Sequence, residues 1–306
     1  DSAEQLFRRH CTTKQVTETE EGGSVEALWR QIHDSGFPDA LVPEARGGAG
    51  LALRDVFSVV VACGAYAVPV PLTQTMVARA ILSAGGQDTP AGPIVLASAT
   101  SSHAGLEGID CQRVPYGRVT EWALVDRGMM CALLPIAQAR VDPTGVHAGL
   151  EADLYWPSLP ATTVWFERAY DPLATGACLL AAQLAGAMDR VLRRTIEHAN
   201  ERTQFGRSIG KFQAIQQQLS VLAEHTFSAR VASRVGCESA DHLPDPLRAA
   251  VAKSRASEAA VVVAAISHAI HGAMGITAEF ELQLFTRRLH EWRAACGGES
   301  YWNGRI

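Results

Sequence analysis

A short polar turn near the middle of the chain carries the side chains best suited to chemistry. Arg202, Gln204 and Phe205 stand within four residues, followed by Gly206 and Gly210, and Gln213 opens the next helix-periodic run. An arginine fork matches phosphate oxygens, and nearby glycines allow the backbone to approach a ligand closely. Other reactive side chains are scattered. The seven cysteines include no CxxC pair and their number is odd. That pattern predicts reduced thiols in a cytosolic protein, with neither a disulfide framework nor a zinc site. The ten histidines include no HExxH motif. His268 and His271 lie three apart without a third ligand in view, and are expected to be packing or polar-network residues. Among the carboxylates near the end of the chain are Glu281 and Glu291, expected on a solvated helix face, and Glu299 beyond them.

The elements that must position these residues follow from periodicity. Before the turn, residues 178–199 place apolar side chains at helical spacing. After it, Ile209, Phe212, Ile215, Leu219 and Leu222 recur every three or four residues. Further helical runs cover 246–272 and 279–296, so four helices are available to share a core as an antiparallel bundle. The third is crowded with alanine, serine and valine and is expected inside the bundle. Residues 1–90 also read as helices with loops, among them 25–33, 56–67 and 76–83. Between the helical parts, 94–97, 121–125, 130–134, 139–141 and 162–166 are short strand-like runs, which suggests a small β-barrel or sheet.

Composition agrees with a globular chain of two or three domains, at 306 residues, 47% hydrophobic and 19% charged. A net charge of -5 gives no electrostatic reason to expect nucleic acid. No uncharged run has the length of a membrane span, and the first residues lack the layout of a signal peptide, so a cytoplasmic protein is expected.

The run from Arg202 to Gln213 (RTQFGRSIGKFQ) closely resembles the turn between the first two C-terminal helices of acyl-CoA dehydrogenases. Two other stretches match in family order. Residues 41–51 (LVPEARGGAGL) resemble a loop of the N-terminal domain, and residues 271–277 (HGAMGIT) resemble a glycine-rich stretch, keeping Gly272 and Gly275. The resemblance implies a mostly α fold with a small β-domain: an N-terminal helical domain over 1–90, a reduced middle β-domain over 91–170 and a C-terminal four-helix bundle over 171–306. It also implies FAD as cofactor. In the family the turn reaches the FAD of the neighbouring subunit, so Arg202 would face the pyrophosphate, Gln204 would hydrogen-bond it, Phe205 would pack on the nucleotide and Gln213 would lie near the adenine.

The sequence departs from the family pattern at several places. A pyrophosphate-binding glutamine falls on Ala269. The carboxylate that takes the α-proton of the acyl thioester falls on Cys296. In a minority of members it comes from the first C-terminal helix, a position that falls on Gly176, beside Ala177 where an arginine is usual. Glu299 is then the local candidate for the base. The middle region also lacks the family's threonine-glutamate-proline and glycine-serine-aspartate runs. The expected function is FAD-linked α,β-dehydrogenation of an acyl-CoA thioester, by a homodimer or homotetramer or by a heteromer in which this chain lacks its own base and completes the site of a catalytic acyl-CoA dehydrogenase subunit. The alternative is a binding or scaffold protein that keeps the fold and holds no flavin.

Overall fold

The computed structural model describes residues 2–100, 108–145, 148–167, 170–277 and 280–306. Glu279, the expected start of the last helical run, lies outside them. Five helices come first: α1 (Ser2–His10), α2 (Thr13–Glu20), α3 (Glu26–Asp34), α4 (Phe57–Ala65) and α5 (Leu72–Ala84). The first two carry few apolar residues, yet α1 buries Phe7 and α2 buries Val16. A capping box fixes the start of α2: the Thr12 side chain accepts the Gln15 N–H, and the Gln15 side chain accepts the Thr12 N–H.

Seven strands follow: β1 (Ile94–Ser98), β2 (Ile109–Val114), β3 (Trp122–Asp126), β4 (Met130–Pro135), β5 (Arg140–Pro143), β6 (Ala152–Trp156) and β7 (Val164–Glu167). They form two separate sheets rather than a closed barrel, in the orders β1-β3-β4-β7 and β2-β6-β5. β1 runs parallel to β3 and the other pairings are antiparallel. β1 is an edge strand, and its outer N–H groups are taken by α5. Ile94 N donates to Thr75 Oγ1 at 2.9 Å and Leu96 N to Gln74 Oε1 at 2.8 Å, so the exposed edge is satisfied by side chains.

The remaining elements are α6 (Pro172–Glu201), the hairpin strands β8 (Thr203–Gln204) and β9 (Arg207–Ser208), α7 (Gln213–Gly236), α8 (Pro246–His271), α9 (Leu282–Ala294) and the short α10 (Glu299–Asn303). α6 begins six residues before the periodic run, because Asp171 caps it and Pro172 occupies its first turn. An N-cap aspartate satisfies orphan N–H groups, and proline lacks an N–H there to lose. α6, α7, α8 and α9 pack together as the expected bundle. α8 is long and apolar enough to cross a membrane by length and composition. Its buried alanine and serine face lies against the other three helices, as a core helix does. α4 crosses α6 where Gly64 and Gly186 let the backbones touch. A Cβ on either glycine would lie 1.9 Å from a carbonyl oxygen of the other helix.

Candidate active site

Two separate places in the fold collect the residues singled out by sequence. The first is a cleft of about 280 Å³ where the sheets meet the bundle. Its walls are the end of β1, the end of β2, Glu151 just before β6, the first residues of α6, and residues 294–297 after α9. Cys296 lies in this cleft with φ +53°. A Cβ placed on Gly176 would sit 2.6 Å from its Sγ. The two positions at which the resemblance leads one to expect a base, far apart in sequence, therefore touch each other here, and neither holds a carboxylate. Burial pushes the Cys296 thiol up to about 11, with Lys253 working against it and Glu151 adding to it. A thiol of that kind stays protonated at neutral pH and is a poor proton acceptor.

The loop that carries Cys296 is held from below by Lys253, which is fully buried. Its Nζ donates to the carbonyls of Arg293 and Gly297, both at 2.8 Å, and to Ser257 Oγ at 3.2 Å. Burial pushes the ammonium down to about 8. Trp302 Nε1 donates to the Cys296 carbonyl at 2.9 Å, so the loop is fixed from both sides. Glu299 does not line the cleft. It accepts two hydrogen bonds from Arg293, one of them from Nε at 3.0 Å, and those bonds hold its carboxyl below the usual carboxylate range.

Glu281 and Glu291 are not on a solvated face as the helical spacing suggested. Glu281 pairs with Arg190 at 3.1 Å and with Arg194, and accepts from Thr13 Oγ1 at 3.3 Å. Glu291 faces the sheets beside Tyr116 and Arg288, and burial raises its pKa, opposed first by Arg288. Both were misplaced because the last helix is covered by the N-terminal helices and the β region on the side that periodicity leaves polar. His268 and His271 are network residues as expected: His268 Nε2 meets Thr286 Oγ1 at 2.9 Å and His271 Nδ1 meets the Ser267 carbonyl at 2.8 Å. All seven cysteines are free thiols.

The second place is the turn after α6. Arg202 follows the last residue of that helix. Phe205 and Gly206 form the two-residue loop of the β8-β9 hairpin, with φ +50° and +78°. Positive φ at both loop residues is the signature of the type I′ turn, which favours glycine and asparagine. Phenylalanine there is strained, and its ring is 91% exposed. Arg202, Gln204 and Gln213 are exposed too. Arg202 borders a hollow of about 250 Å³ with His198, Met274 and Phe280. His198 stacks on His271 at 4.3 Å between ring centres, which brings the end of α8, with exposed Gly272 and buried Gly275, to this same end of the bundle. The residues expected at the dinucleotide are thus gathered in one region. Cys296 and Gly176 meet in another, and Glu299 stands outside that cleft.

Comparisons with known proteins place the chain in a family. A family model described as the acyl-CoA dehydrogenase C-terminal domain matches residues 166–298. The acyl-CoA dehydrogenase IpdE2 of Mycobacterium tuberculosis is 33% identical over 276 residues, covering 88% of this chain and 81% of that protein. The chain belongs to the acyl-CoA dehydrogenase family. IpdE2 of Mycolicibacterium smegmatis is 28% identical, covering 93% of this chain and 89% of that protein. Among solved structures, the ChsE4-ChsE5 complex from Mycobacterium tuberculosis has the same fold, with a TM-score of 0.82 at 21% identity, covering 99% of this chain and 93% of that one. The Tcur3481-Tcur3483 steroid ACAD gives a TM-score of 0.82 at 25% identity, covering 99% and 94%.

Within this family member, two cleft residues, Glu151 and Arg113, and the buried Lys253 beneath the cleft loop were not found by sequence reasoning. Lys253 left a faint signal, a lone lysine among alanines and serines of an otherwise small-residue helix. Glu151 and Arg113 left none, since they sit beside an irregular strand pairing.

Proposed function

We propose that this chain takes part in FAD-linked α,β-dehydrogenation of an acyl-CoA thioester, as one subunit of an oligomer in which the turn after α6 grips the dinucleotide of a neighbour. The observation that carries this reading is the length of α6. Its first residue, Pro172, lines the cleft and its last, Glu201, adjoins Arg202. Thirty residues at a rise of about 1.5 Å each separate the two by roughly 45 Å. One chain cannot bring its own turn to its own cleft.

The residues at the turn fit a dinucleotide. The Arg202 guanidinium makes no hydrogen bond among the described residues, and the Gln204 amide and Phe205 ring face outward. These are a cation for phosphates, a polar amide and an apolar face for a ring. A relative of the same fold was solved as PigA with FAD and proline, at a TM-score of 0.79. Bound flavin would supply the acceptor for the hydride leaving Cβ. The chain's own part is to hold the thioester in the cleft, fix the loop through Lys253 and Trp302, and keep water out. Two apolar rows support association: Phe227, Val231 and Val235 along α7, and Leu247 and Val251 along the adjoining α8, with Phe227 65% and Val231 62% exposed. Exposed rows of this kind mark contact surfaces.

A second reading is favoured by the contact between Cys296 and Gly176. A chain without a carboxylate at either place would complete the site of a catalytic partner. Flavin absorbance per subunit and acyl-CoA oxidation, measured for this chain alone and with the product of the neighbouring gene, test both. A yellow protein active alone supports the self-sufficient form. Activity only with the partner supports the heteromer. A colourless protein that stays colourless with the partner removes the flavoprotein reading and leaves the scaffold alternative.

A further inference from the structure

The cleft that Cys296 lines also holds a carboxylate that no motif marks. Glu151 is fully buried and lines the cleft. Its Oε1 accepts from Arg113 Nε at 3.1 Å and from Thr144 Oγ1 at 3.2 Å. Its Oε2 is buried and has no hydrogen-bond partner among the described residues. A bare buried carboxylate oxygen destabilises a folded protein, and native structures keep few such groups without a reason.

The partner of Glu151 is itself unusual. Arg113 has φ +52°, a conformation that a side chain other than glycine adopts at a cost. It stands where the register of β2 against β6 shifts between Cys111 and Val114. Its backbone N–H donates to Asp153 Oδ1 at 2.6 Å, which holds the shift in place. Such bulges re-aim side chains and are concentrated beside active sites. Here the bulge turns the guanidinium onto Oε1, so Oε2 is the oxygen left over.

The geometry points to Glu151 as the proton acceptor for the α-carbon of the bound thioester, a base supplied from the β region in place of the carboxylates missing at Cys296 and Gly176. This inference rests on the dehydrogenation reading. In the step, the Cα–H bond breaks and the proton goes to Oε2. The electron pair left on Cα forms the Cα=Cβ bond as hydride leaves Cβ; the two-electron acceptor for that hydride would be supplied by bound flavin. Arg113 does not touch the reacting atoms; it is a positioning residue that holds Oε1.

The test uses the protein as purified, with any flavin and partner chain it carries, and octanoyl-CoA as probe. Two rates are read: dye-coupled oxidation, and deuterium entry at Cα in D2O without an electron acceptor, followed by mass spectrometry. Dissociation constants for octanoyl-CoA are measured alongside. The expected result for Glu151→Gln is a loss of about 100-fold or more in both rates, with binding changed less than threefold. Glu151→Asp, which keeps the charge but withdraws the oxygen, should retain part of the exchange and guards against a folding defect in the amide variant. Arg113→Lys should lower exchange and shift its pH profile. Exchange and oxidation that survive Glu151→Gln within threefold overturn the inference and leave dehydrogenation standing. No exchange and no oxidation in the wild-type protein overturn the dehydrogenation reading, and this inference with it.

Discussion

Cys296 and Gly176 depend on each other. Because a Cβ on residue 176 would lie only 2.6 Å from Sγ, Gly176→Ala is expected to lower stability by about 1–3 kcal/mol through overpacking. Cys296→Ala removes the obstacle, so the double variant should recover most of that loss. Denaturant unfolding of the two single variants and the double variant closes the cycle, and additive effects would show that the contact is not there. Lys253 makes a second residue-scale prediction. Its folded value of about 8 lies below the ordinary 10.5. Below about pH 8 both folded and unfolded chains carry the proton and the burial penalty is in full force. Between there and pH 10.5 the unfolded chain binds the proton and the folded one does not, so stability rises with pH, by on the order of 3 kcal/mol in all. Lys253→Met should lack that rise, which urea titrations from pH 7 to 10.5 measure as a difference between the two proteins. Counting along a motif was enough to name Cys296 and Gly176 from sequence. Their contact was not legible, because it depends on how the loop after α9 folds back onto the start of α6. Glu299 shows the same limit: three residues from Cys296 in sequence, it turns instead to Arg293.

The hairpin after α6 trades stability for a projecting ring. Asparagine tolerates the left-handed conformation that Phe205 is forced into. Phe205→Asn is therefore expected to leave the melting temperature unchanged or raise it, while lowering flavin content per subunit; a large drop in melting temperature would mean that the edge contact with Phe212 at 6.3 Å matters more than the strain. Elements with a clean period were legible: α7, α8 and the strands β1, β3, β4, β5 and β7 all fall where the pattern places them. β2 and β6 were not. β2 reads IDCQRV and its pairing is broken by the bulge at Arg113, so no alternation survives to be read. α1 and α2 were blurred for a different reason. Each buries only two or three side chains, too few to set up a period. The bulge that hid β2 is also what mounts the Arg113–Glu151 pair, so the missed strand and the missed cleft residues have one cause.

At the scale of the whole molecule, the exposed rows on α7 and α8 are the surface most in need of cover. Phe227→Asp places a charge on the longer row at its most exposed side chain. It should leave the fold intact, since residue 227 is mostly exposed, and should shift the sedimentation profile toward a smaller species; an unchanged profile would place the contact elsewhere. The separation of turn and cleft along α6 has a genetic corollary. Under the proposed function each subunit would be a donor at one pole and a recipient at the other, so a lesion would be felt in a different polypeptide from the one that bears it. Two dead alleles, one altered at Arg202 and one at the cleft, should rescue each other when co-expressed, because a hybrid particle pairs an intact donor with an intact recipient that neither parent can assemble.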